Sequence, residues 1–289
     1  MIINISTAID KGKERENNED ALIYCPDLTQ NKWCTRDMEG CIPLGECGAV
    51  AVVADGMGGA LAGEVASALA IESVQHTLEP ARVQQAIGND ELITQLLREA
   101  TANADQSILN RATTDPDTMG MGSTIVICWM MRDKAYIAWC GDSRCYVHRP
   151  DGALTQLTID HSLVQEMVDD GQITQEEALN HPDSNIITRA LGDVDRDAEP
   201  DIVVHPMSPG DTYILCSDGL CGYCTQESIE RAVSHHDSDS GQMAQALMKL
   251  AMDAGGHDNI GIIVATVLND DQQPKGASLG KKLLRLLGL

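Results

Sequence analysis

The chain has 289 residues, 43% of them hydrophobic, which is enough to bury a full core in one large domain or two small ones. Its net charge of -24 argues against nucleic acid or an anionic membrane as a partner of the body, and favours cations. Phe is absent and aromatic content is 3%, so Ala, Val, Ile, Leu and Met must build the core.

The opening Met1-Ile2-Ile3-Asn4 lacks the basic flank and apolar stretch of a signal peptide. No run approaches the ~18 apolar residues of a membrane span. Ten cysteines, several inside apolar strand-like runs (Cys128, Cys140, Cys145, Cys216), read as small hydrophobes in a reducing, cytoplasmic compartment.

Residues 2–9 alternate like an edge strand, and Ala21 to Tyr24 form a second one. Between them lies Arg15-Glu16-Asn17-Asn18-Glu19-Asp20. It is either a solvated charged turn or an Arg aimed at an anion beside acids that face a cation. Residues 25–48, with Cys34, Cys41 and Cys47, read as a long excursion whose spacings do not match paired CxxC arms. Ala49 to Val53 is a buried strand, followed by Asp55-Gly56-Met57-Gly58-Gly59.

A helix is predicted from Gly63 to about Thr77. A second follows Asp90 as N-cap, with Leu92, Leu96, Ala100, Ala104 and Ile108 on one face. Ile125 to Met130, Lys134 to Cys140 and Arg144 to His148 read as a three-stranded antiparallel meander. Gly120 and Gly122 precede neither the Lys nor the helix of a nucleotide loop. Two short polar helices are predicted within 158–192, the second with a Thr174/Glu177 capping box, as in a lid or flap. Tyr213 to Leu215, helices at Glu227 to Val233 and Met243 to Asp253, and a closing strand Ile260 to Val267 complete the core. From about Asn269 a Pro/Gly/Gln linker leads to Lys281-Lys282-Leu283-Leu284-Arg285-Leu286-Leu287.

One pattern recurs through this order: an apolar strand ending in Asp beside Gly or Asn. Asp55, Asp142 and Asp218 each follow a strand, and Asp258 precedes one. A single such Asp suits a capped turn equally well. Four of them imply acids gathered at one sheet edge, where like charges raise one another's pKa unless cations are present. All-oxygen donors select Mg2+ or Mn2+.

With Arg15…Glu19-Asp20, Asp55-Gly56-x-Gly58-Gly59, Gly141-Asp142-Ser143-Arg144, Ser217-Asp218-Gly219-Leu220 and Asp258-Asn259 in this order, the chain resembles the metal-dependent type 2C (PPM) protein serine/threonine phosphatases. The resemblance covers roughly residues 5–268. It implies an α+β fold, a four-layer αββα sandwich of two antiparallel β-sheets flanked by helices, with a phosphatase domain over 1–268 and a linker and short basic amphipathic tail over 269–289. It also implies hydrolysis of phosphoserine and phosphothreonine in proteins by water activated at a dinuclear Mg2+ or Mn2+ centre, with a third ion as in many family members. Asp55 resembles the bridging ligand and Gly56 the carbonyl donor. Asp218 and Asp258 resemble the other ligands of the first metal, Glu19 and Asp20 the holders of metal-bound water, and Asp142 with Asp218 the third-metal site. Arg15 resembles the phosphate-binding Arg. The flap spans about 160–190, with His161 and Ser162 at its hinge.

The implied partners are a phosphorylated protein and a cognate Ser/Thr kinase in a bacterial signalling system, for a monomeric enzyme. Met57 stands where many eukaryotic members have His, as is common in bacterial members, which leaves metal-bound water or His161 to protonate the leaving group. Cys221-Gly222-Tyr223-Cys224 departs from the family pattern and reads either as a redox or metal switch or as packing thiols. A pseudophosphatase binding module is the rival reading, but it requires a broken acidic set and every mapped carboxylate is present. Residues 281–289 would either dock on a partner or membrane surface or pack on their own domain.

Overall fold

The computed structural model describes residues 1–38, 40–58, 62–236 and 239–269. Gly59 and the 281–289 docking segment lie outside them. The first half contains β1 (Ile2–Asp10), β2 (Asp20–Cys25), β3 (Ile42–Pro43), β4 (Ala49–Met57), α1 (Ala62–Thr77), α2 (Pro80–Ala86) and α3 (Asp90–Thr114). The middle contains β5 (Gly122–Ser123), β6 (Ile125–Met131), β7 (Lys134–Cys140), β8 (Arg144–His148), β9 (Leu154–Gln156), α4 (Leu163–Asp169) and α5 (Gln175–Ala178). The last part contains β10 (Asp201–Pro206), β11 (Thr212–Cys216), α6 (Asp218–Cys221), α7 (Gln226–Val233), α8 (Ser240–Asp253) and β12 (Ile260–Leu268).

One sheet has the order β3-β1-β12-β11-β8-β9, the other β10-β7-β6-β4-β2 with β5 beside β4, and every pairing is antiparallel. Side chains alternate between faces along each strand, and here both faces are apolar. On β4, Val50, Val52 and Ala54 pack under α1 and α3, while Ala49, Ala51 and Val53 enter the space between the sheets. On β12, Ile263, Ala265 and Val267 enter that same space, while Ile262 and Val264 meet α7 and α8. The result is helices, two sheets, helices: the α+β sandwich that the resemblance implies.

Several expectations need correction. β8 does not continue a meander: β7 pairs with β6 and β10, whereas β8 pairs with β11 and β9 in the opposite sheet. The switch occurs at Gly141, whose φ of +115° suits glycine, and a Cβ there would lie 2.6 Å from the Thr124 side chain. Strand periodicity carries no information about which sheet a strand joins. The cap of α3 is Asn89, whose Oδ1 accepts from Glu91 and Leu92 N–H at 3.0 and 3.2 Å. Asp90 instead accepts from the Tyr136 hydroxyl at 2.7 Å and pairs with Lys134. Leu92, expected on the buried face, is 39% exposed, and Ile93 takes the interior place. The edge strand β10, half-exposed and closed by Pro206, and the Pro-initiated α2 were not anticipated.

The 158–192 insertion matches its reading more closely. α4 is capped by Ser162, and α5 opens with the Thr174/Glu177 capping box. Its neck is closed by Leu163 N–H donating to the Ile186 carbonyl (2.9 Å) and Thr188 N–H to that of His161 (2.8 Å).

Ile263, fully buried between the sheets, should cost about 2–5 kcal/mol of stability when truncated in Ile263→Ala. Urea unfolding should show a lower midpoint at unchanged slope; an unchanged midpoint would contradict the inter-sheet packing.

Candidate metal centre

The alternation that fills the inter-sheet space also builds its polar end. Following the inward positions outward, Leu22 and Tyr24 on β2 lead back to Asp20, and Ala51 and Val53 on β4 lead to Asp55. Likewise Val126 leads to Thr124, Trp139 to Gly141, Cys145 to Ser143, Leu215 to Ser217 and Ile263 to Gly261. The last inward layer is therefore acidic, hydroxylic or glycine. It is bonded across the sandwich: Ser217 Oγ donates to Asp20 Oδ2 at 2.6 Å, and the Thr124 and Ser143 hydroxyls are 2.7 Å apart.

Asp20 and Asp55 sit directly opposite each other across β2 and β4. Asp218 opens α6 immediately after Ser217, and Asp142 follows the Gly141 switch. Asp258, just before β12, accepts from Arg15 Nη2 at 2.6 Å and, through Oδ1, from Asn259 N–H at 2.8 Å. Arg15 is about half exposed while Asp258 is mostly covered. Asn259 ties the Arg15 loop down, accepting from Glu19 N–H at 2.7 Å and donating to the Lys11 and Asn17 carbonyls. The Gly56 N–H donates to the Glu19 carbonyl at 3.1 Å. Gly56 and Gly63 meet backbone to backbone: a Cβ on Gly56 would lie 2.0 Å from the Gly63 carbonyl, and one on Gly63 would strike the Glu19 carboxylate.

Asp20, Asp55, Asp142 and Asp218 are pushed towards protonation. Burial raises Asp20 to about 8, with Asp218, Asp258 and Glu19 adding to it against the Ser217 hydrogen bond. Burial, then Asp20 and Asp218, pushes Asp55 well above the carboxylate range. Burial, then Asp218 and Asp160, does the same to Asp142, and burial followed by Asp258 brings Asp218 to about 6. Among the described residues, the buried side-chain oxygens and nitrogens without a hydrogen-bond partner are Asp20 Oδ1, Asp142 Oδ1 and Asp218 Oδ1. Buried polar atoms are rarely left unpaired, and these three belong to one cluster. They suit hard divalent cations, being oxygen donors with no thiol or imidazole among them. No three acidic, histidine or cysteine side chains among the described residues converge on one point. An ion held here would complete its shell with water and main-chain oxygen, as Mg2+ usually does.

A family model described as protein phosphatase 2C matches residues 10–260. The chain belongs to the protein phosphatase 2C family. The serine/threonine protein phosphatase PstP of Mycobacterium tuberculosis is 33% identical over 274 residues, which is 94% of this chain and 46% of PstP, so the chain spans about half the length of that relative. The serine/threonine phosphatase stp of Listeria monocytogenes is 37% identical over 215 residues, 74% of this chain and 83% of that protein. The crystal structure of the PstP catalytic domain in complex with two manganese ions is 32% identical and superposes with a TM-score of 0.73 over 93% of this chain and 99% of that one. The Streptococcus agalactiae serine/threonine phosphatase, 30% identical, gives 0.77 over 92% and 99%.

Within this family fold the structure gathers Arg15, Glu19, Asp20, Asp55, Gly56, Asp142, Asp218 and Asp258 at one end of the sandwich. Ser162 lies on the wall of the adjoining cavity, which Asp142 and Asp218 also line. His161 is a correction. It is buried, its Nδ1 accepts from Gly141 N–H at 3.0 Å, and its Nε2 lies 3.1 Å from the Asp201 carboxylate. Burial lowers its pKa, and both ring nitrogens are engaged, by Gly141 and by Asp201. It stacks on Trp139 and clamps the flap neck to the Gly141 turn. Cys221 and Cys224 are buried free thiols in the core beneath α6 and α7. Hydrogen bonding to Cys216 and burial raise the Cys221 pKa well above the thiol range, and burial brings Cys224 to about 11. That is the packing alternative, since reactive cysteines are exposed and acidic.

Sequence reasoning gave no role to Ser217, Thr124, Ser143, Asn259 or Gly63. Four of these were within reach: Ser217, Thr124 and Ser143 share the inward phase of their strands, and Asn259 adjoins Asp258. Gly63, the second residue of α1, carries no such signal.

A carboxyl with a raised folded pKa keeps its proton in the folded chain while the unfolded chain loses it, so stability falls as pH rises through that window. Metal-free protein should therefore lose stability between about pH 4 and 8, the range given by Asp20 and Asp218. Asp20→Asn, which cannot ionise, should flatten that slope and melt several degrees higher at pH 8, with ~1 kcal/mol equal to about 2–4 °C at this size. Calorimetric melts that decline equally in both proteins would contradict the assignment.

Proposed function

We propose that the chain is a metal-dependent hydrolase that removes phosphate from phosphoserine and phosphothreonine in proteins, acting opposite a Ser/Thr kinase in a bacterial signalling system. The observation that carries this reading is the set of three buried, unpartnered carboxylate oxygens on Asp20, Asp142 and Asp218 beside the facing Asp20 and Asp55. It is supported by relatives named as serine/threonine phosphatases and by a related catalytic domain described with two manganese ions.

Asp55, Asp218 and Asp258, with the Gly56 carbonyl, would hold a pair of Mg2+ or Mn2+ ions. Glu19 and Asp20 would act through coordinated water, and Asp142 with Asp218 would take a third ion. When bound, such ions make water acidic enough to act as a nucleophile near neutral pH and offset charge on the phosphoryl oxygens.

The chain's own residues do the rest. Arg15 uses one guanidinium edge on Asp258 and is about half exposed, leaving further donors for bidentate contact with phosphate oxygens. Ser217, held by Gly261 N–H at 2.9 Å, fixes one oxygen of Asp20, so the other keeps its direction. Thr124 Oγ1 accepts from Asp55 N–H at 3.1 Å, and the Ser123 hydroxyl donates to the Asp55 carbonyl, which fixes the strand end that carries Asp55. Ten free thiols suit a reducing cytoplasm. No helix among the described residues is long and apolar enough to cross a membrane.

With p-nitrophenyl phosphate and Mn2+, Asp55→Ala and Asp218→Ala should each lose about a hundredfold or more in kcat, and EDTA should abolish turnover. Turnover that persists in EDTA would sink the reading. Arg15→Ala should raise KM by about 10–100-fold, the equivalent of one charge-assisted hydrogen-bonded contact. Calorimetric titration with Mn2+ should count at least two ions per chain, and a single weak site would oppose the dinuclear assignment.

A further inference from the structure

Two cavities meet beneath the flap. One, of about 110 Å3, is walled by Asp142, Asp218 and Tyr223 on the acid side and by Ser162 on the flap side. The other, of about 340 Å3, lies on the far side of Arg144 and is walled by Gln156, Thr158, Ile159, Cys224, Thr225 and Gln226. Arg144, Gln165, Gln175 and Leu179 face both, so the two form one cleft that leads away from the acids. The larger chamber falls within the ~300–1,000 Å3 of ligand-binding clefts.

Its chemistry differs from that of the metal end. Arg144 is its only charged wall, and that charge is already engaged: Nε and Nη2 donate to Asp160 at 2.8 and 2.6 Å, and Nη1 donates to the Tyr146 hydroxyl at 3.0 Å. Both members of the pair are mostly buried, so an anionic ligand would have to break it to gain an Arg contact. The remaining polar walls are glutamine amides and threonine hydroxyls, each both donor and acceptor. Gln156 and Gln226 are oriented by donating to the Thr158 and Leu154 carbonyls at 2.8 and 2.9 Å. Ile159, 57% exposed, adds an apolar wall. Paired donors and acceptors without net charge complement a polypeptide main chain, which presents one N–H and one C=O per residue.

We propose that this chamber binds the substrate polypeptide on one side of the phosphorylated residue, as an extended uncharged segment held by main-chain hydrogen bonds to the glutamine amides. The inference rests on the phosphatase reading. It makes recognition one-sided: the smaller cavity takes the phosphorylated side chain, and the larger one reads the residues that follow it in a single chain direction.

The test uses the full chain with Mn2+, a phosphoserine peptide with four uncharged residues on each side, versions trimmed on either side, and p-nitrophenyl phosphate. Trimming one side only should lower kcat/KM by about tenfold, the equivalent of one or two neutral hydrogen bonds. Gln226→Trp, which fills the chamber from an exposed helix position, should lower the peptide-to-p-nitrophenyl-phosphate ratio of kcat/KM by about tenfold through KM, and should erase the effect of trimming. Ile159→Asp, a second exposed position, should lower the same ratio. Equal effects of trimming on both sides, or a ratio unmoved in both variants while p-nitrophenyl phosphate is turned over, would overturn this inference alone. Wild-type protein that turns over neither substrate would overturn the phosphatase reading and this inference with it.

Discussion

Asp20 and Asp55 face each other across neighbouring strands in a space from which water is largely removed, and two ionised carboxylates cannot share such a space unaided. Each would surrender its charge to a proton before the fold accepted both as anions. The surroundings supply part of the compensation: Ser217 donates to one oxygen of Asp20, and Arg15 pairs with Asp258. Among the described residues, the buried side-chain atoms left without a partner are three oxygens, which suit a cation as the missing positive charge. The rest of the architecture follows from holding the residues that carry those oxygens at one end of the sandwich.

That placement depends on both sheets at once. The Ser217 to Asp20 bond joins residues 197 positions apart, from opposite sheets, and the Thr124 to Ser143 contact does the same. One sheet alone brings Asp20 and Asp55 together, and the full acid cluster forms when the sandwich closes. Packing of Ile263, Val53 and Leu215 between the sheets supplies the closing force, and the polar end layer sets its register, because a one-residue slip of any strand would exchange its inward and outward faces. Stability and site geometry are in this sense the same set of contacts viewed from two ends of the inter-sheet space.

Much of this was legible in the amino-acid order because short-range signals reach the strand ends. An apolar run ending in Asp beside Gly marks where a buried strand emerges, and Asp55, Asp142 and Asp218 each lie at such an end. The Thr174/Glu177 capping box and the Gly-Gly stop after Asp253 are equally local, and both lie where expected. What escaped depends on contacts between distant segments. β8 has the pattern of a third meander strand, and only the crossing at Gly141 sends it to the other sheet. His161 follows an Asp in a polar stretch, the usual setting of an active-site base, and is instead consumed by Gly141 and by Asp201 on a strand that sequence reading did not find. Leu92 and Ile93 compete for one buried helix face, and a stripe drawn at steps of four from the wrong starting residue predicts the wrong one.

The charge balance bears on how substrate reaches this end of the molecule. With 44 acidic against 20 basic residues, the field of the whole chain repels anionic groups at long range, so net charge cannot steer the phosphate of the proposed substrate as it does for cationic enzymes. Attraction has to be local, within a Debye length of about 8 Å at physiological salt. In the proposed function Arg15, half exposed, would supply it, whereas the charge of Arg144 is spent on Asp160 inside the wall. On the proposed function, such a site would gain little from charged residues next to the phosphorylated one and more from uncharged contacts made after arrival. The glutamine-lined chamber beyond Arg144 offers such contacts.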